Sequence, residues 1–553
     1  MLTSERRWAL VLGACVPLSL VPDLFLGNPS MSRLVWCVAL GAAVAGSPWY
    51  PWDRLNRLPL GRILAGMVAV AVVVFGVFSV RKYAVYGDLL ARDAAYYDQI
   101  FRHVLDGRGW TGSILAHHYH DPPLEGHWAI HFTPVAYLLL PFYALVPRLE
   151  TLLVLRNAFV LLAAWPMFSL ARRHLQPMAA LQVTLAMLAT PTLLYQPLNS
   201  FYFYGMALAP CLWVWWCHEQ ERPVWMLLPC AAMLMVREDM GIGVSALAGT
   251  ASLDLLWKRW RARKEPEPGP WLPPWPYWVA FVTGGVWWVG ISKFLMPRYG
   301  MASGAAIEDW YRGWGGTPGG VVRKFISDHE FIGRVFFNKT KLVYLLGLLR
   351  AGGVLAFLGL PVLVAAPYLV INLMVTRPEA ATANINYHYS ILIVAGIFMA
   401  LPRVLAWLSG QGAEAVWRQR VLATFVLALS LSQITMVYSR AEVATLRGGP
   451  HVEALDGLVE RIPDDAGSVA APSCTLHRLT HHEMLLASDR PMGYTTTRMN
   501  WVILAETKGT YLQADWDDAQ WTAYLDSFRK SPQYELVHQE AGYGLYRRVA
   551  PQE

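Results

Sequence analysis

The chain has 553 residues, of which 55% are hydrophobic and 15% are charged, and its formal net charge is +7. Soluble domains contain nearer a quarter charged residues, so this composition indicates an integral membrane protein. The basic residues lie mainly in short loops between apolar segments, which is a pattern of membrane topology rather than of nucleic-acid binding.

Apolar segments long enough to cross a bilayer as helices recur along most of the chain. The first segment lacks a clear small-x-small cleavage site, so we expect a retained anchor rather than a cleaved signal peptide. Together the segments predict about thirteen transmembrane helices, at residues 8–27, 33–48, 62–80, 150–170, 177–195, 203–217, 223–236, 241–257, 275–295, 341–358, 359–375, 389–408 and 420–438.

The distribution of basic residues between the loops predicts the topology. With a cytoplasmic N-terminus, the short inside loops collect the segments "ARRHL" and "WKRWRARK", in agreement with the positive-inside rule. The same assignment places residues 81–149, residues 297–340 and the chain after Ser439 outside. Residues 132–147 contain three prolines, and we predict a helix at the outer membrane interface there rather than a full span.

We expect three parts in the chain. Residues 1–61 are predicted to form two extra N-terminal transmembrane helices, residues 62–438 a transmembrane core, and residues 439–553 a small soluble α/β domain outside the membrane. In the last part, "SVAA", "WVILA", "YELVH" and "YGLYRRV" predict strands, and "HVEALDGLVERI" and "DDAQWTAYLDSFRK" predict helices.

Two aspartates, Asp93 and Asp98, lie in "RDAAYYDQIF" within the first long outer segment. Their spacing places them about 140° apart around a helix, so we expect one of them, rather than both, to point at a common site. The alternative is that they only cap and solvate an amphipathic helix.

A histidine-rich stretch, "AHHYHDPPLEGHWAIHF", follows at residues 116–132. His127 and His131 are four residues apart, as zinc ligands on one helix face often are. However, Pro122, Pro123 and Gly126 predict a turn-rich loop, and the His-Glu-x-x-His pattern of metalloproteases does not occur. We expect His131 to face a cavity and the other histidines to line or close a loop, with a bound transition metal as the alternative.

Further polar segments also fall at outer helix ends or in outer loops, namely "NSFYFYG" (199–205), "REDMG" (237–241), "EDWYRGWGG" (308–316) and "NINYHYS" (384–390). Their concentration on one face predicts a shared polar cavity. The alternatives are that the charges of "REDMG" only anchor helix ends and that the aromatic rings of "NINYHYS" belong to an interfacial belt.

These segments resemble an uncharacterised family of bacterial polytopic membrane proteins with the motifs D-x-x-x-F-D-Q and H-F-x-P. Here the motifs read "DAAYYDQ", with Tyr97 in place of phenylalanine, and "HFTP". Over roughly residues 80 to 550, the order of motifs is also similar to that of the GT-C glycosyltransferases, especially the protein O-mannosyltransferases and the lipid A aminoarabinose transferases. The chain departs from that pattern because Ala94, not a second acidic residue, follows Asp93.

The resemblance implies a polytopic α-helical membrane protein of GT-C-like fold in the bacterial inner membrane, with a cytoplasmic N-terminus and an extracytoplasmic C-terminal domain. It implies transfer of a sugar from a polyprenyl-phosphate donor, held in the membrane lipid, to a hydroxyl of an acceptor glycan, lipid or protein, with inversion. Such a reaction needs a base for the acceptor hydroxyl and cationic or hydrogen-bonding groups for the phosphate.

The resemblance also implies roles for individual residues. Asp93 matches the position of the base, and Asp98 would position the acceptor or help to hold a metal. The phosphate candidates are Arg237 and His388, with Arg156 or Arg312 as further ones. The remaining expected substrate-binding residues are His131, Tyr204, Glu238, Asp239 and Tyr387. No cofactor is specified, and a divalent cation held by Asp93 or Asp98 with His131 stays an open alternative.

Two other classes of function are compatible with the sequence. A transporter or flippase would show internal symmetry and ionisable residues near the membrane midplane, and an inactive assembly protein would keep most of the fold. Convergence of Asp93, His131, Arg237, Glu238 and His388 on one cavity would favour the enzyme, whereas their scatter would exclude it.

Overall fold

The structure is a computed structural model, and it describes residues 52–87, 91–114, 126–262, 273–300, 311, 313–316, 318–376, 381–438, 443–489, 498–506 and 518–549. The predicted spans 8–27 and 33–48 lie outside the described residues, as do Arg312 and the three histidines His117, His118 and His120.

Most of the described chain is helical. The helices before the C-terminal domain are α1 Trp52–Asn56, α2 Leu60–Ala84, α3 Ala91–Leu105, α4 Ala136–Leu145, α5 Leu149–Leu161, α6 Ala164–Ala171, α7 Pro177–Leu188, α8 Pro191–Leu194, α9 Leu208–Glu219, α10 Leu227–Leu234, α11 Met240–Ala262, α12 Trp275–Gly290, α13 Pro318–Ser327, α14 His329–Phe336, α15 Lys339–Leu348, α16 Val354–Ala356, α17 Ala366–Met374, α18 Ile391–Ser409, α19 Ala413–Leu431 and α20 Ile434–Val437.

Five helical segments among the described residues are long and apolar enough to cross a membrane: Leu60–Ala84, Leu149–Ala171, Met240–Arg261, Trp275–Tyr299 and His388–Ser409. Pro177–Leu188 and Pro191–Leu198 would add a sixth if this pair, bent by 62°, is one broken span. The protein is therefore a helical membrane protein, and the total of about thirteen spans stays a prediction. Within residues 132–147 the structure has the short helix α4, which contains Pro141, and its location at the membrane interface stays a prediction.

Glycine allows α11 and α12 to pack closely. A side chain at Gly284 would place its Cβ 2.5 Å from the carbonyl oxygen of Gly241 and 2.5 Å from the hydroxyl oxygen of Ser245. By contrast, nothing lies within 4 Å of the Cβ position of the neighbouring Gly285. Close packing of the two helices therefore requires glycine at position 284 but not at position 285.

An ion-pair network joins the helices at one end of the bundle. Arg403 on α18 contacts both Glu219 at the end of α9 (3.0 Å) and Asp254 on α11 (2.7 Å). His174 pairs with Glu219 at 2.6 Å, and His218 pairs with Asp254 at 2.8 Å. Since Glu219 and Asp254 are buried, their charges require these partners.

The C-terminal domain contains a five-stranded sheet in the order β2-β1-β3-β5-β4. Its elements are α21 Pro450–Val459, β1 Ser468–Ala471, β2 Met484–Ala487, β3 Trp501–Ala505, α22 Asp518–Arg529, β4 Tyr534–Glu540 and β5 Tyr543–Arg548. β1 pairs in parallel with β2 and β3, whereas β5 pairs antiparallel with β3 and β4. The four predicted strands and two predicted helices are present, and β2 was not predicted.

This domain packs directly against α3. The Ser113 hydroxyl, just beyond α3, donates to the carbonyl of Leu485 at 3.1 Å and accepts from its amide at 2.8 Å. Gln99 on α3 donates to the carbonyl of His482 at 3.3 Å. One buried apolar cluster runs from the helical part into β1 to β3 and β5 without a break, so α3 is fixed on both sides.

Candidate active site

A small cavity of about 30 Å³ lies at the end of the helical part opposite the ion-pair network. It forms where the turn between α10 and α11 meets the short 3₁₀-helical segments that precede α9 and α18. Its lining residues are Tyr97, His131, Thr133, Tyr202, Phe203, Tyr204, Arg237, His388 and Tyr389. The lining is therefore aromatic and cationic.

Asp93 reaches this cavity through Tyr202. The Tyr202 hydroxyl donates to Asp93 Oδ2 at 2.6 Å, and Asp93 Oδ1 lies 3.5 Å from the guanidinium Nε of Arg92. The Asp93 side chain is 19% exposed. It is therefore held in place on one oxygen while it remains accessible.

Arg237 supplies a guanidinium to the cavity. Two of its nitrogens donate to the two carboxylate oxygens of Asp239, at 2.7 and 2.5 Å. Its guanidinium carbon lies 4.6 Å above the ring centre of Tyr204, within the range of a cation–π contact. Since Nη1 makes no hydrogen bond to the described residues, Arg237 presents one nitrogen to a ligand while Asp239 fixes its orientation.

His131 and Glu238 form a pair at the cavity edge. His131 Nδ1 lies 3.0 Å from Glu238 Oε1, and the backbone amide of Phe132 donates to Glu238 Oε2 at 2.9 Å. Burial alone would raise the pKa of Glu238, but its interactions with His131 and the charge of Arg237 lower that pKa to about 2. Glu238 is therefore ionised at neutral pH.

His388 is a buried histidine without a partner on one nitrogen. Its residue is 2% exposed, and Nδ1 has no hydrogen-bond partner among the described residues. The ring lies between aromatic neighbours, with centroids 4.0 Å from Tyr202 and 4.1 Å from Tyr389. A buried polar atom without a partner is costly, so Nδ1 is a natural contact for a bound molecule.

Asp98 points away from the cavity, and the five-residue spacing predicted this divergence from Asp93. Its carboxylate accepts from the Tyr143 hydroxyl at 2.6 Å, from Arg102 Nε at 3.1 Å and from the Thr480 hydroxyl. It is fully buried, and burial raises its pKa despite these three donors. Because Thr480 belongs to the C-terminal domain, Asp98 joins that domain to the helical part.

Arg156 also lies behind the site rather than in it. It is fully buried and donates to the carbonyls of Asn199 and Ser200, at 2.8 and 2.7 Å. These carbonyls immediately precede the cavity residues Tyr202 and Phe203. Arg156 therefore supports the segment that carries the tyrosines.

The structure places two further predicted residues outside the cavity lining. Tyr387 packs its ring against Tyr195, with centroids 5.9 Å apart. His127 is buried and bonded on both nitrogens, to the Tyr96 hydroxyl at 2.9 Å and to the Thr133 hydroxyl at 2.8 Å. Burial lowers the pKa of His127 to about 3, so its ring is neutral.

Metal ligands do not assemble in the described part of the chain, where no three His, Cys, Asp or Glu side chains form a group that could hold an ion. Asp98, one of the expected ligands, is already occupied by Tyr143, Arg102 and Thr480. Asp93 and His131 have separate partners, Tyr202 and Glu238.

Five residues that line the cavity were not among the predicted site residues: Tyr97, Thr133, Tyr202, Phe203 and Tyr389. Tyr202 and Phe203 adjoin the predicted Tyr204 in "NSFYFYG". The backbone of Tyr202 is extended, with φ −144° and ψ 139°, but a 3₁₀ helix begins at Phe203. Strand alternation therefore does not relate Tyr202 to Tyr204.

Comparisons with known proteins place the chain among membrane proteins. The family described as "Predicted membrane protein (DUF2079)" matches residues 89–545. No curated protein matches the chain.

Two similar solved structures are of ArnT from Cupriavidus metallidurans, one bound to undecaprenyl phosphate and one in the apo state. Each is 12% identical in sequence to this chain. The matched region covers 87% of this chain and 99% of the ArnT chain, with TM-scores of 0.47 and 0.43. At this level, the likeness says nothing about what this chain binds.

Proposed function

This chain belongs to the DUF2079 family of predicted membrane proteins, and we propose that it is a membrane glycosyltransferase. In this proposal, it moves a sugar from a polyprenyl-phosphate donor to an acceptor hydroxyl at the extracytoplasmic face, by a single inverting displacement. The acceptor is a glycan, a lipid or a protein.

The observation that carries the proposal is the convergence of chemically distinct groups on one cavity. His131, Arg237 and His388 line it, Asp93 is one hydrogen bond away through Tyr202, and Glu238 holds His131. These residues come from segments up to 295 positions apart in the chain, and they are drawn together at one end of the helical bundle. This arrangement supports a catalytic site more than a transport path, which would place ionisable groups near the membrane midplane.

The arrangement provides the two functions that the reaction requires. Asp93 is the base that we assign to the acceptor hydroxyl: Tyr202 holds one carboxylate oxygen, and the other takes the proton as the acceptor oxygen attacks the anomeric carbon. Arg237 Nη1 and His388 are the groups that we assign to the phosphate, where negative charge develops as the bond to the sugar breaks.

The other predicted residues receive supporting roles in this proposal. Asp239 orients Arg237 through a two-point ion pair, and Tyr204 packs beneath the guanidinium. Asp98 and Arg156, which were candidates for the acceptor and the phosphate, instead fix α3 and the Tyr202 segment.

Turnover by protein in liposomes tests the proposal. The vesicles would be supplied with radiolabelled sugars on undecaprenyl phosphate and with bacterial envelope acceptors. We expect transfer with inversion by the wild type and a loss of about 10²- to 10⁴-fold in Asp93→Asn, the range for removal of a general base.

Asp106→Asn is the matched control, because Asp106 follows the same helix with its side chain 52% exposed. It should keep wild-type turnover. Absence of transfer with every sugar would overturn the proposed function, whereas equal turnover by wild type and Asp93→Asn would remove only Asp93 from its role.

A further inference from the structure

Glu238 contacts both the His131 ring and the backbone next to it. Oε1 lies 3.0 Å from His131 Nδ1, and Oε2 accepts from the amide of the next residue, Phe132, at 2.9 Å. Both the ring and the backbone that carries it are therefore fixed to one carboxylate. The Glu238 side chain is 12% exposed, so water competes little for these bonds.

The pairing determines which nitrogen His131 offers to the cavity. Because Glu238 is an acceptor, Nδ1 carries the hydrogen of the bond between them. Nε2 is then the free position, and it makes no hydrogen bond to any residue that the structure describes. His131 lines the cavity with its side chain 32% exposed, so Nε2 is accessible to a bound molecule.

Three charged side chains of the turn before α11 lie near His131, namely Glu238, Arg237 and Asp239. Arg237 makes its two-point contact with Asp239 and lies 3.8 Å from Glu238 Oε1. Glu238 is the carboxylate that contacts the His131 ring, at 3.0 Å.

Two other histidines face His131. His127, on the same segment, is kept neutral by burial, which lowers its pKa to about 3. His388 approaches from the segment before α18 and is buried. His131 is therefore the histidine of this cluster with a carboxylate partner, Glu238, which accepts from its Nδ1.

We propose that His131 and Glu238 form a second catalytic pair, in which Glu238 is a positioning residue and His131 donates from Nε2 to the phosphate of the departing polyprenyl phosphate. This inference rests on the proposed function. It separates the two proton roles, with Asp93 as the base at the acceptor and His131 as the acid at the leaving group.

With this pair, each proton that moves in the proposed reaction has a donor and an acceptor. The acceptor oxygen bonds to the anomeric carbon, and its proton goes to Asp93. The bond from the anomeric carbon to the phosphate oxygen breaks, its electron pair stays on that oxygen, and His131 Nε2 gives it a proton. The products are a glycoside and a protonated phosphate monoester, and one proton passes from Asp93 to His131 through solvent before the next turnover.

Binding of the product lipid tests the pair without requiring turnover. Protein in phosphatidylcholine nanodiscs would be titrated with undecaprenyl phosphate and with undecaprenol, which lacks the phosphate. We expect the wild type to prefer undecaprenyl phosphate, and His131→Gln and Glu238→Gln each to lower this preference by about 10- to 100-fold, as expected for one charge-assisted hydrogen bond.

The choice of variants separates charge from shape. Glu238→Asp keeps the charge but shortens the side chain, whereas Glu238→Gln keeps the shape but removes the charge. Greater retention of the phosphate preference in Glu238→Asp supports the pair, and greater retention in Glu238→Gln contradicts it. His329→Gln and Glu330→Gln on the exposed helix α14 are matched controls and should behave like the wild type.

The possible failures are distinguishable. An unchanged phosphate preference in both His131→Gln and Glu238→Gln would overturn the pair while the proposed function stands. A wild type that binds undecaprenol and undecaprenyl phosphate equally would overturn the proposed donor, and the pair with it.

Discussion

Substitution of Asp98 by alanine is expected to destabilise the protein far more than the same substitution of Asp93, although both lie on α3. The Asp98 carboxylate accepts hydrogen bonds from Tyr143, Thr480 and Arg102 in a fully buried position. Asp98→Ala therefore leaves the buried Thr480 hydroxyl without an acceptor among the described residues, and it leaves the Tyr143 hydroxyl only the longer bond to the Asp98 backbone carbonyl, at 3.3 Å. Arg102 is less affected, because its side chain is 29% exposed and it also donates to the Pro147 carbonyl at 2.8 Å.

The magnitude follows from these contacts. A buried donor left without a partner costs about 1 to 3 kcal/mol, so the Thr480 hydroxyl and the weakened Tyr143 bond together give a loss of about 3 kcal/mol. At roughly 2.1 cal/mol/K per residue, the unfolding entropy of this chain is about 1.2 kcal/mol/K, so Tm should fall by about 3 °C. Asp93→Ala leaves one partly accessible hydroxyl, that of Tyr202, and should cost about 1 kcal/mol and lower Tm by about 1 °C.

Thermal unfolding of the two variants in the same detergent, followed by intrinsic fluorescence, measures this difference. Limited proteolysis adds a local readout, because Thr480 ties the C-terminal domain to α3 through Asp98. We expect faster cleavage of that domain in Asp98→Ala only. Equal melting temperatures for the two variants would refute the assignment of Asp98 to the domain junction.

Three further perturbations test the packing and the charges. Gly284→Ala forces a methyl group against the neighbouring helix and should lower stability by about 1 to 3 kcal/mol, whereas Gly285→Ala, with open space around it, should not. Arg403→Gln removes the shared partner of two buried carboxylates that keep His174 and His218 as partners. It should cost about 1.5 to 3 kcal/mol, against at most about 1 kcal/mol for the exposed Arg334→Gln. Because the folded pKa of Glu238 is about 2, below its ordinary value of 4.5, its contribution to stability is complete above pH 4.5 and is lost as the pH falls towards 2. Glu238→Gln should therefore flatten the acid limb of a Tm profile, and an unchanged limb would contradict the ion pair with His131.

The sequence predicted the features that depend on local pattern. Apolar length placed the five clear spans, and short runs with β-branched or aromatic residues placed the four strands that were predicted in the C-terminal domain. β2 was missed because its four residues, "MLLA", include no β-branched or aromatic residue. Only its pairing with β1 defines it as a strand.

The site was predicted in its composition but not in its contacts. Tyr204, Arg237 and His388, from three of the polar segments, line one cavity. No pattern indicates that Thr480 meets Asp98 or that Asn199 meets Arg156, since these contacts join residues far apart in the chain. Charge and residue type alone kept Asp98 and Arg156 as candidates beside Asp93 and Arg237. Burial and hydrogen-bond partners, which depend on the folded chain, separate them.

We propose that the cavity between Arg237 and His388 holds the phosphate of a polyprenyl lipid. An experimental structure of the protein in nanodiscs with undecaprenyl phosphate tests this most directly. We predict phosphate oxygens within hydrogen-bond distance of Arg237 Nη1 and the His388 ring. Binding of the lipid phosphate at the opposite end of the bundle, near Arg403, with this cavity free of lipid, would contradict the claim.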